Sequence, residues 1–240
     1  MTLLPVAGIV AVLSSGATQI LPASPPASPQ DSPTPSDRVA WKGVLAQSGL
    51  LLGIQHSLRM AQDKTRDHLG GNFWDDYVHS LRGLKGWNDG NPVTTNYLGH
   101  PLMGAATGFI WIQNDPRGRS VGWNPGRKEY WASRTKGMAW SAVYSASFEL
   151  APWGEAGIGN VGYDRGTMAF VDLVVTPLGG LGLMVLEDYL DATLIRKIER
   201  GGSETRTRIF RVLLNPSRSL ANVLAFKRPS HRDGREPSRK

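Results

Sequence analysis

Asn96-Tyr97-Leu98-Gly99-His100-Pro101-Leu102-Met103-Gly104-Ala105-Ala106-Thr107-Gly108 is the stretch that decides the fold. In a helix, residues four apart stack on one face, so Asn96, His100, Gly104 and Gly108 form a single stripe. An amide and an imidazole then lie beside a smooth glycine surface on which a second backbone can rest. The spacing predicts a helix–helix contact with a polar site at one end, rather than an imidazole in open solvent.

Two further segments repeat the pattern. Gly137, Ser141, Ser145 and Glu149 share a stripe that ends in a carboxylate, with the aromatic stripe Trp140/Tyr144/Phe148 beside it. Asp172, Thr176 and Gly180 share another, with Gly179 adjacent. Asp172 sits inside Ala169-Phe170-Val171-Asp172-Leu173-Val174-Val175, where an unpaired carboxylate is costly to bury. It needs a partner, for which His100, Asn96 or a backbone donor are the candidates. Gly104, Gly108, Gly137, Gly179 and Gly180 are the expected helix-packing positions, by the small-residue rule for close helix contacts.

Working outward, helical periodicity covers Val39 to about Leu69, with Gly70-Gly71 as its stop, and then Phe73 to about Leu84. Trp87-Asn88-Asp89-Gly90-Asn91-Pro92 is a turn. A third helix capped at Thr94 or Thr95 runs toward Gln113, with Pro101 disturbing its first turns. A fourth spans Lys128 to Leu150. Met168–Ile198 is the longest pattern, which Thr176-Pro177-Leu178-Gly179-Gly180 should break or kink. Arg206–Leu214 and a segment from Asn215-Pro216-Ser217 toward Phe226 complete the series. No strand alternation or internal repeat is present. The expected fold is all-α, a compact bundle of about five to seven helices with kinked, glycine-rich apolar members.

The 240 residues suffice for one large domain, expected over 39–226. Before it, Leu3–Leu13 has the length of a signal-peptide core and Ser15-Gly16-Ala17 a small-x-small cleavage pattern, although the leader lacks Lys and Arg. Residues 1–20 are therefore expected to be a signal peptide. The Ala/Ser/Pro tract over 21–38 reads as an extended tether. Together they predict export to the cell envelope, specifically a membrane-associated periplasmic location; a leader that does not act would leave the protein cytoplasmic. The mean hydropathy of −0.25 argues against a polytopic membrane protein. The absence of cysteine excludes a lipoprotein anchor, disulfides and thiolate metal sites.

The formal charge of +7 is unevenly placed. Residues 196–240 hold 13 Lys and Arg against 4 Asp and Glu, so the preceding 195 residues are net negative. This basic end, whose last residues 227–240 read as a disordered tail, suits a solvated terminus or attraction to anionic lipid. Phe210 and Phe226 are its only aromatics, too few for nucleic-acid stacking, so no nucleic-acid partner is expected.

His100, Glu149 and Asp172 are the candidate catalytic cluster, with Asn96, Ser141, Ser145 and Thr176 in support. One imidazole and one buried carboxylate suffice for general acid/base work. A serine nucleophile at Ser141 or Ser145 lacks a Gly-x-Ser-x-Gly elbow, and mid-helix hydroxyls usually bond to the preceding turn. His56, His68, His79 and His100 fall in no metal-ligand spacing, so no metal is expected. His56 reads as a core histidine. Gly179-Gly180 and Gly201-Gly202 follow no strand and precede no Gly-Lys-Ser/Thr, so no nucleotide or other cofactor is expected. Glu187, Asp188 and Asp191 read as a solvated acidic helix end ahead of Arg196 and Lys197.

At Asn91-Pro92, Asn96-Tyr97-Leu98-Gly99-His100-Pro101-x-x-Gly104, Ser145 to Glu149, and Asp172-Leu173-Val174-Val175-Thr176-Pro177-Leu178-Gly179-Gly180, the chain resembles a bacterial envelope-protein family of unknown function. The resemblance spans roughly Asn72 to Asp191. It implies an exported, membrane-associated helical protein in which His100, Glu149 and Asp172 match the family's polar motif residues. It implies no reaction. Two functions follow as expectations. One is a structural or interaction protein at a membrane surface or outer-membrane component, with the cluster as internal hydrogen-bond partners. The other is a lipid- or glycan-modifying envelope enzyme, a hydrolase or transferase, using His100 with Glu149 or Asp172.

Overall fold

In the computed structural model of the chain, α3 (His100–Asn114) is the central rod. It lacks charged residues along its length and buries Gly104 through Ile110 almost completely. Such a helix has no solvent face to keep, so other helices must cover it on every side. α1 (Trp41–Met60) and α4 (Lys128–Leu150) run antiparallel to it, and α5 (Phe170–Leu190) runs parallel. The amphipathic α7 (Glu204–Leu214) and α8 (Pro216–Leu224) close one end, after the short α6 (Arg196–Arg200). α2 (Phe73–Arg82) joins the other end through Tyr77, whose hydroxyl donates to the Leu150 carbonyl at 2.8 Å.

The structure describes residues 38–61 and 71–233, which lie within one compact unit. The expected leader over 1–20, the tether up to residue 37, the end of the first helix over 62–70 with His68, and residues 234–240 fall outside them. Among the described residues the fold is all-α, with seven helices of nine residues or more and no strand. The core gathers Leu51, Phe109, Ile110, Tyr144, Phe148, Met184 and Leu224 around α3.

Glycine sets the spacing of the three inner helices. A methyl group on Gly104 would collide with the Thr176 carbonyl oxygen of α5, and one on Gly180 would meet the backbone of Gly104 and Ala105. Gly137 of α4 lies against Gly108 at a looser contact, its site for a Cβ being 3.0 Å from the Gly108 carbonyl oxygen. Gly108 faces the Met184 side chain, and Gly179 packs on Pro101.

Three expectations need correction. Pro177 does not break its helix: α5 is continuous through it. A proline inside a helix costs about 3 kcal/mol, and the close seat against α3 offsets that cost. The irregularities lie elsewhere, as π-helical turns at Thr95–Gly99, just before His100 and Pro101, and at Asp191–Ile195. Second, order does not stop at Phe226. Ser230 and Arg232 are buried, the Arg211 side chain donates to the Ser230 carbonyl at 3.0 Å, and Asn222 donates to the carbonyls of Pro229 and His231. The basic tail expected from residue 227 is thus packed as far as Asp233. Third, the acidic end of α5 is not a solvated surface. Glu187 and Asp188 are 1% and 3% exposed. Asp188 pairs with Arg134 at 2.7 Å and with Arg218, and accepts from the Tyr130 hydroxyl at 3.0 Å.

Candidate acid-base site

The parallel seating of α3 and α5 brings His100 to Asp172 and Thr176, one helical turn apart. His100 Nδ1 lies 3.1 Å from Thr176 Oγ1, and Nε2 lies 3.1 Å from Asp172 Oδ1. That carboxylate oxygen is buried and makes no hydrogen bond of ordinary geometry, so its approach to the ring is a close polar contact. At Nδ1 the ring nitrogen donates to or accepts from the Thr176 hydroxyl according to its tautomer.

Two neighbours were not evident in the sequence. Asp89 reads as a turn residue, and it does make a turn: its Oδ1 accepts from the Asn91 N–H at 3.1 Å, next to Gly90 at φ +77°. The same carboxylate faces inward, accepts from Asn96 Nδ2 at 2.7 Å, and hydrogen-bonds the Asp172 side chain. Asn96 therefore serves Asp89 and not Asp172. Glu155, in the single helical turn Glu155–Ile158, is 3% exposed and pairs with Arg59 of α1. Among the described residues, four buried carboxyl groups (Asp89, Glu149, Glu155 and Asp172) thus share one neighbourhood with the Arg59 guanidinium.

That imbalance sets the protonation. Burial pushes the Asp172 carboxyl up to about 7, reinforced by the charges of Asp89 and Glu155 and by the hydrogen bond that protonated Asp172 donates to Asp89. Burial also pushes Glu149 well above the usual carboxylate range, helped by Glu155 and Asp172. The His100 imidazole moves the other way, lowered first by burial and then by the Arg59 charge. Near neutral pH the site therefore holds a neutral imidazole beside a carboxyl group close to its own midpoint, the pairing that proton transfer requires.

A cleft of about 250 Å³ opens on one side of the imidazole. His100, Glu149 and Thr176 line it together with the apolar Leu58, Met103 and Phe148, while Asp172 lies behind the ring. Ser145 is also on the wall, but its hydroxyl donates to the Asp172 carbonyl at 3.2 Å. Ser141 is fully buried without a partner. Neither serine has a hydrogen bond to His100, so the geometry builds no serine nucleophile. His56 is a core histidine stacked on Phe148 and bonded to the Trp153 backbone, its pKa lowered mainly by burial. Among the described residues no group of three or more His, Asp or Glu side chains is arranged to hold a metal ion.

Compared with known proteins, the chain matches no protein-family model, no curated protein and no solved structure.

Proposed function

We propose that this is a membrane-associated helical protein in which His100, backed by Asp172, transfers a proton on an apolar-tailed substrate held in the cleft. The observation that carries the proposal is the 3.1 Å approach of the two groups at the wall of an open, largely apolar cavity. In the tautomer protonated at Nε2, a substrate hydroxyl replacing Thr176 at Nδ1 would pass its proton to that nitrogen and be left as an alkoxide-like nucleophile, and the resulting imidazolium would be held by ionised Asp172. Leu58, Met103 and Phe148 favour a lipid over a free glycan. Membrane association is supported by outward faces without charge. Leu45, Leu50, Ile54 and Leu58 are exposed on α1, and Phe170, Val174, Leu178 and Leu186 on α5. Phe170–Arg200 is also long and apolar enough to cross a membrane, though much of it packs inside the bundle, as the core helix of a soluble protein would. Export to the envelope rests on the leader, the tether and the family resemblance.

The test compares lipid profiles of a deletion strain, its parent and strains carrying His100→Gln or Asp172→Asn. Loss of the parental profile with both variants folded supports catalysis. A folded His100→Gln protein that restores the profile rejects it. A second reading, a purely structural network that fixes helix register, is favoured by the engagement of both ring nitrogens. It predicts that His100→Ala lowers the melting temperature and that His100→Gln changes no lipid. Recovery of the protein in the cytosol with Met1 intact would reject export.

A further inference from the structure

A second and larger cavity, about 460 Å³, lies at the other end of α3, roughly 18 Å from His100 at 1.5 Å per residue. Five arginines line it: Arg119, Arg134, Arg196, Arg218 and Arg232. The three carboxylates on its wall are already engaged. Asp188 holds both Arg134 and Arg218, Asp191 accepts from Arg232 Nε at 3.1 Å, and Asp233 contacts His231 at 3.0 Å and Lys227 at 3.8 Å. Arg119 and Arg196 are exposed and form no ion pair among the described residues. Arg218 Nε is buried on this wall without an acceptor.

Among the described residues, the five guanidinium groups and three committed carboxylates on this wall leave a surplus of two positive charges. Arg232 is 4% exposed. Its guanidinium is pushed down to about 10, first by burial and then by the charge of Arg218, while the ion pair with Asp191 acts the other way. Arg218 is also held in place, its guanidinium 4.3 Å above the Phe109 ring. Planar guanidinium forks match tetrahedral oxyanions through paired N–H···O bonds.

We propose that this cavity binds a phosphomonoester dianion, with Arg119 and Arg196 at its mouth and the Arg218 guanidinium on its inner wall. The group can arrive on a small soluble molecule or on a lipid headgroup, and the site stands independently of the His100 pair.

Titration calorimetry on the full chain with inorganic phosphate and glycerol 3-phosphate tests the soluble source. Flotation with phosphatidylcholine vesicles, with and without phosphatidic acid, tests the lipid source. Saturable binding in either arm is expected, and the arm that responds assigns the source. Arg119→Ala with Arg196→Ala removes two exposed side chains without touching an ion pair, and should weaken binding roughly tenfold or more. Arg218→Lys keeps the charge and removes the planar guanidinium from the inner wall, and should also weaken it. No saturable binding in either arm overturns the proposal. So does binding that chloride at equal ionic strength abolishes, or binding that both sets of substitutions leave unchanged.

Discussion

Gly180 of α5 rests directly on the backbone of Gly104 in α3, and this contact sets His100 opposite Thr176 and Asp172. Without a Cβ on either residue the two chains approach closely enough for a ring one turn before Gly104 to reach side chains one and two turns before Gly180. The approach of His100 to Asp172 is thus a product of backbone packing between residues that carry no functional group.

Gly180→Ala is accordingly expected to destabilise the fold by about 1–3 kcal/mol, the usual range for overpacking, because the added methyl meets Ala105 N at 2.8 Å. Gly182→Ala, two residues further along and with nothing within 4 Å, should instead stabilise by about 0.5–1 kcal/mol through helix propensity. Urea titration of the two variants checks the contrast. Equal effects would mean that α3 and α5 are not in register as described.

Asp172 gives stability a definite pH dependence. Its carboxyl is raised from 3.8 to about 7 on folding, so between those values the native state binds more protons than the unfolded chain. Its contribution is complete below about pH 4 and is lost as pH rises through 7. His100, lowered by burial, acts oppositely and costs stability as pH falls below its ordinary 6.5. Asp172→Asn stays neutral, so its stability relative to the parent should improve from about pH 4 to pH 7 and level off above that. Parallel melting curves across that interval would disprove the shift.

Arg134 and Asp188 form a buried pair at 2.7 Å, 2% and 3% exposed. Asp188→Ala strands Arg134 and removes the partner of Arg218, at a cost of about 3–5 kcal/mol. Replacing Arg208 of the exposed pair with Glu204 should cost under about 1 kcal/mol. Chemical denaturation of both variants measures the difference.

Glu187 caps α8 from a distance, accepting the backbone N–H of Ser217 at 2.8 Å and of Arg218 at 3.1 Å. Glu187→Ala removes both acceptors at the start of the helix and is expected to cost about 1–3 kcal/mol. Hydrogen exchange at Ser217 and Arg218 should quicken before exchange in α3 does. Unchanged protection there would show that the cap contributes nothing.

The helices were largely legible in the sequence because their signals are local. Lys128–Leu150 carries its own period and stops, and the four-residue glycine spacing of Gly104, Gly108 and Gly180 marks faces meant to touch. The pairing of His100 with Asp172 was among the candidates for the same reason: a carboxylate set in an apolar run requires a partner. Asp89, Glu155 and Arg59 were not visible, since each lies in a segment with an adequate local explanation as turn, loop or helix end. Asp188 and Glu187 looked solvated because their arginine and backbone partners lie 30 or more residues away.

What the chain determined by itself was the helical class, the segments with glycine faces, and the need for a proton or partner at Asp172. Tertiary structure alone decided that, among the described residues, four carboxyl groups gather near the Arg59 guanidinium, that Pro177 sits within a continuous helix, and that Arg196, Arg218 and Arg232 of the basic end line a cavity. Propensity and periodicity act over a few residues, whereas charge balance in a low-dielectric interior depends on groups brought together from distant positions. Only the folded chain sums them.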